Sequence, residues 1–176
     1  MTDEKYDKML NELMLLFTDE DKFMCQQVAD FLMELGYVPQ KQKVQGNVLS
    51  FKLNKTNKVI AKIGIRNGTN QRAFFSVKFF ACKSVPKKYI DALQYEIDSH
   101  NGQYSRPIRS INEKNRCGYC GTCTGGGLGY YFVYPNGKEV LRCGAYPIII
   151  PDLTPNDIDE MKSLLLEQHK YFLRLV

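Results

Sequence analysis

Apolar residues change their spacing once in the first half of this chain, at Gly36, and no other feature constrains the fold as much. Before Gly36 the period is helical. Tyr6, Met9, Leu10, Leu13, Met14 and Phe17 recur at i, i+3, i+4 and i+7 and make one apolar face. Thr18 followed by Asp19, Glu20 and Asp21 reads as a fresh N-cap with acids in the first turn. The second helix carries Phe23, Val28, Phe31, Leu32 and Leu35, and Gly36 stops it. After Gly36 the period is two. Leu49, Phe51 and Leu53 alternate with polar residues, as do Val59, Ala61, Ile63 and Ile65, and then Phe75, Val77, Phe79 and Ala81. Short polar connections between these runs predict a three-stranded antiparallel meander that buries its odd-numbered residues.

Ser84, with Pro86 in the first turn, opens a helix through Tyr89, Leu93 and Ile97 to Asn101-Gly102. The last helix starts at Thr154-Pro155, with Asp157 at the capping-box position, and carries Ile158, Met161, Leu164, Leu165 and Phe172. Between these two helices, Tyr130 to Tyr134 and Lys138 to Arg142 flank the turn Pro135-Asn136-Gly137 and predict a β-hairpin. The expected fold is therefore α+β: an antiparallel β-meander with flanking helices and a cysteine-anchored, zinc-knuckle-like hairpin over 117–143. The chain has 176 residues, the size of one domain, so residues 1–176 are expected to share a core.

Charge is segregated along the chain. Residues 1–34 hold nine acids and three bases, whereas the next fifty-six, 35–90, hold twelve bases and no acid. Such a block is a candidate surface for an anionic partner. On alternating strands, Lys52, Lys62, Arg66 and Lys78 would share the even-numbered face with Phe74 and Phe80. Bases neutralise phosphates and exposed rings stack unpaired bases, so this combination suits single-stranded nucleic acid. Two competing readings stay open. The acidic N-terminal helices would neutralise the block within the fold, or a helix would cover Ile60, Phe74 and Phe80 and make that face a second core layer.

Six cysteines in a reducing compartment point to metal or redox use. Four are concentrated: Cys117-Gly-Tyr-Cys120-Gly-Thr-Cys123, and Cys143 after nineteen intervening residues. A Cys-x2-Cys turn brings two thiolates onto one ion, and the hairpin returns Cys143 to the place where its first strand began. Four soft ligands select zinc or an iron–sulfur cluster. The spacing is not that of bacterial ferredoxins, since no Cys-Pro follows three residues on. Structural zinc on Cys117, Cys120, Cys123 and Cys143 is the preferred reading; an iron–sulfur or thiol redox sensor is the alternative, and four ordinary thiols the plainest one. Cys25 and Cys82 read as core packing. His100 and His169 have no Cys or His at ligand spacing, and no local catalytic Ser–His–Asp or Cys–His pattern exists.

The C-terminal third resembles a group of small uncharacterised bacterial proteins. The shared features are the glycine-spaced cysteine cluster, the tyrosine-rich hairpin ending in Arg142-Cys143-Gly144, the Ile150-Pro151-Asp152 segment and the closing helix. No activity is established for that group, so the resemblance implies a compact bacterial domain and assigns no catalytic residue. The apolar runs Met14 to Phe17 and Pro147 to Ile150 fall far short of the ~20 residues of a membrane span. The opening MTDEKYDKML lacks a signal-peptide pattern, so a cytoplasmic protein is expected. The sequence thus predicts a zinc-stabilised binding module, rather than an enzyme, with a basic face for nucleic acid or another polyanion.

Overall fold

In a computed structural model the chain is described over residues 4–42, 47–65, 73–99, 105–107 and 129–174, the short segment 105–107 by its backbone alone. Helix α1 (Glu4–Met14) buries Leu10 and Leu13. Helix α2 (Asp19–Glu34) begins as expected: the Asp21 N–H donates to Thr18 Oγ at 3.2 Å. Its buried stripe is Met24, Cys25, Val28, Ala29 and Leu32, while Phe23, counted on the apolar face from sequence, is exposed. Gly36 ends the helix at φ +86°, a left-handed turn that a side chain would disfavour.

Strands β1 (Tyr37–Lys41), β2 (Val48–Leu53), β3 (Lys58–Ile65) and β4 (Ala73–Val77) form an antiparallel meander. Strand β8 (Ile148–Ile150) adds to the free side of β4, giving a five-stranded sheet of order β1-β2-β3-β4-β8. The meander is thus one strand longer than expected at its start and is completed by a strand from the far end of the chain. A second sheet, β5 (Ser105–Pro107), β7 (Glu139–Cys143) and β6 (Gly129–Val133), has order β5-β7-β6.

The parity rule holds for most of the meander. Leu49, Phe51, Leu53, Ala61, Ile63, Phe75, Val77 and Phe79 are all buried. Val59, Ile65 and Ala81 are only half-buried, the last two at the ends of their runs; for Val59 a β-bulge is the reason. Phe51 pairs with Ala61 but Lys52 pairs with Val59, so Ile60 is an extra residue in β3. A bulge of this kind turns two successive side chains to one side. Ile60 and Ala61 are accordingly both buried in the core, and Val59 is half-buried opposite Lys52. The third run is also shorter than expected. It ends as a strand at Val77, and the chain turns through Phe79 to Cys82, closed by Cys82 N–H to Phe79 O at 3.1 Å.

Helices α1, α2 and α4 (Ile158–Leu173) lie on the odd-numbered, inner face. Glu12 of α1 pairs with Lys41, Asp21 of α2 accepts the Ala73 N–H at 3.2 Å, and His169 of α4 meets Tyr37 at 3.3 Å. Helix α3 (Lys87–Ser99) sets Tyr89 edge-on against Phe79. A 3-10 turn, Pro155–Asp157, leads into α4, and Asp157 Oδ2 accepts from both the N–H and the hydroxyl of Thr154 at 2.8 Å. Lys88 reaches the same carboxylate, which it helps hold below the usual carboxylate range against the opposing effect of burial. One apolar cluster draws on all four helices and both sheets.

Candidate anion-binding face and cysteine hairpin

The outer face of the large sheet carries a polar row across its four meander strands. In register, Gln40 faces Ser50, Ser50 faces Lys62, and Lys62 faces Ser76, with Ile149 of β8 beyond. Ser50 and Ser76 are buried, Lys62 is half-buried, and Ser50 Oγ–H donates to Gln40 O at 3.3 Å. Phe74 is half-buried in the next rung, opposite Gly64, and Lys52 is half-buried opposite Val38.

Lys78 departs most from expectation. Read from sequence as a surface base, it is only 6% exposed. Burial, and then the charge of Lys58, drive its ammonium down to about 8; Lys62 acts the same way and Cys143 opposes them. Lys62 is itself lowered by burial. Lys58 and Lys62 thus both lie within electrostatic range of Lys78. Among the described residues no carboxylate pairs with them, nor with Lys52 or Lys55. Three other lysines of the block do find acids: Lys41 with Glu12, Lys87 with Asp91 at 2.6 Å, and Lys88 with Asp157 at 2.8 Å. Among the described residues, ion pairing of the block with the acidic N-terminal helices is confined to Lys41 at the β1 edge, since those helices lie on the inner side.

Phe80 also stands apart from the expected row. With the strand ended at Val77, its ring packs against Tyr130, Tyr171 and Phe172, with centroids 5.7, 5.7 and 6.1 Å away. It belongs to the aromatic join between sheet and hairpin. Arg66 lies outside the described residues.

The hairpin forms where the sequence predicts it, with Gly129 facing Cys143 and Val133 facing Glu139. Gly129 is required there, because a Cβ would stand 2.6 Å from Arg142 O. Tyr130 anchors the hairpin to the large sheet through its hydroxyl, which donates to Val77 O at 3.4 Å. Cys143 is buried and lies within electrostatic reach of Lys78. Cys117, Cys120 and Cys123 lie outside the described residues, and among those described no group of three metal-ligating side chains converges. Cys25 and Cys82 behave as core thiols: burial pushes each up to about 12, and the Cys82 thiol donates to Leu164 O at 3.3 Å.

Two features had no legible signal. Arg142 is 3% exposed and stands 3.6 Å from Glu96 of α3, a pair joining residues far apart in sequence. Lys78 is buried where the hairpin meets the end of β4, with Tyr130 bonded to Val77 O and Cys143 in electrostatic range, a long-range neighbourhood that strand alternation does not encode. No helix among the described residues is long and apolar enough to cross a membrane. Compared with known proteins, the chain matches no family model, no curated protein and no solved structure.

Proposed function

We propose that this chain is a cytoplasmic, zinc-anchored binding module whose lysine face takes an anionic partner, single-stranded nucleic acid first among them. The observation that carries this reading is the buried Lys78, with Lys58 and Lys62 in electrostatic range and no carboxylate partner among the described residues. Mutual repulsion there is relieved by any anion that docks. Phe74, half-buried beside Gly64, supplies a ring at the same face for stacking. In this reading Cys117, Cys120, Cys123 and Cys143 hold zinc as four thiolates, which fastens the hairpin beside the lysines.

Two measurements test the two halves. Protein purified without added metal should contain one zinc per chain, and Cys143→Ser should lose the metal and unfold at lower temperature. Iron with matching sulfide would instead favour electron transfer or sensing. Binding of a single-stranded oligonucleotide should weaken with salt, log K falling by roughly 0.7 per phosphate contacted for each tenfold rise in salt. Salt-independent binding, or none, would remove the nucleic-acid partner.

A further inference from the structure

We infer that the point where Lys62, Ser76 and Lys78 meet receives a terminal phosphate group, a phosphate monoester rather than a diester within a strand. The inference rests on the anion-binding reading above and narrows it to one ligand chemistry. Ser76 is directly opposite Lys62 in register, and Lys78, one residue past the end of β4, donates its N–H to Ile60 O of β3 at 2.9 Å and has Lys62 within electrostatic range. Ser76 is 3% exposed and Lys78 6%, and neither side chain has a hydrogen-bond or ion-pair partner among the described residues. Lys78 as a residue is more than nine-tenths buried with two other lysines in electrostatic range, a desolvation cost that an anion reaching its ammonium would offset.

The depth of Lys78 selects the kind of anion. A phosphodiester carries one negative charge and is flanked on both sides by sugar, so it tracks along a surface. A monoester ends the molecule, bears nearly two charges at neutral pH and presents three free acceptor oxygens. Two ammonium groups and one hydroxyl supply donors for those three oxygens. The same chemistry occurs at the 5′ end of a nucleic-acid strand and on a small phosphorylated metabolite, and the experiment separates the two sources.

The test compares a short 3′-labelled oligodeoxythymidine with and without a 5′-phosphate, using the full chain. The phosphorylated strand should bind about 10- to 100-fold tighter, the worth of one or two charge-assisted hydrogen bonds. Lys78→Met and Ser76→Ala should each bring that ratio close to one. Ser76→Ala changes no charge, so its effect separates a built phosphate site from general attraction. Circular dichroism melts of both variants establish that they are folded. Equal affinity of the two strands in the wild type, with the usual salt dependence, overturns the inference and leaves the nucleic-acid reading intact. If neither strand binds but phenyl phosphate raises the melting temperature, and Lys78→Met abolishes that rise, the inference stands with a small-molecule source and the nucleic-acid reading falls. If neither strand nor phenyl phosphate binds, both are overturned.

Discussion

On the inner face of the five-stranded sheet, Phe51, Ile63, Phe75 and Ile148 are each at most 1% exposed and belong to one apolar cluster. On the outer face Ser50 and Ser76, and just past the end of β4 Lys78, are buried almost as completely, yet they are polar, and Lys78 has two lysines within electrostatic range. Equal burial therefore has opposite energetic meaning on the two sides. Inside, removing surface from water stabilises the fold; outside, it desolvates a charge without an acid to offset it. The outer face carries a cost that folding alone does not explain, and a cost of that kind is where binding is looked for.

The largest effect that sharpens this contrast is expected from Phe75→Ala, which should lower unfolding free energy by about 3–5 kcal/mol in a denaturant titration. A loss under ~1 kcal/mol would mean that the inner face is loosely packed and the contrast is false. Lys78→Met should move stability the other way, raising it by about 1–3 kcal/mol at neutral pH, because the methionine keeps the stem and drops the desolvated charge. Marked destabilisation would show that the ammonium is satisfied in the free protein.

The smallest effect concerns a titrating group on the inner side. Burial lowers His169, whose ring packs edge-on against Tyr37. The folded state thus favours neutral imidazole, whereas the unfolded chain takes up its proton near pH 6.5. Stability from this group is intact above pH 6.5 and is lost as pH falls from there through the lower folded value. Melting temperatures measured across that window should fall with acid in the wild type, and less steeply in His169→Gln. Identical slopes would remove His169 as the source.

Much of the fold was legible because it depends on short-range rules. The switch of period at Gly36, the cap at Thr18, the Thr154–Asp157 box and the hairpin turn each lie within a few residues of the atoms they control. Strand β1 was not legible, since Pro39-Gln40-Lys41 lacks an apolar alternation; as an edge strand it needs none. Ile60 and Val59 exchange roles through a bulge, and one inserted residue leaves no mark in an alternating pattern. At the candidate site, alternation placed Lys52, Lys62 and Lys78 on one face but did not reveal depth, since Lys78 sits where a hairpin more than fifty residues downstream meets the end of β4. Phe80 was misplaced for a related reason: its strand stops at Val77, four residues short of Ala81, and the chain turns toward α3.

The pairing of β8 with β4 also sets an order of events. Phe75 finds its partner Ile150 only after most of the chain has been made. As the polypeptide leaves the ribosome, the meander can assemble early from neighbouring strands, but one side of β4 keeps an open row of amides and carbonyls until the C-terminal third emerges. Such long-range closure is intrinsically slow. The nascent protein thus passes through a stage in which its β4 edge is exposed to other chains, and the three isoleucines of β8 end that exposure.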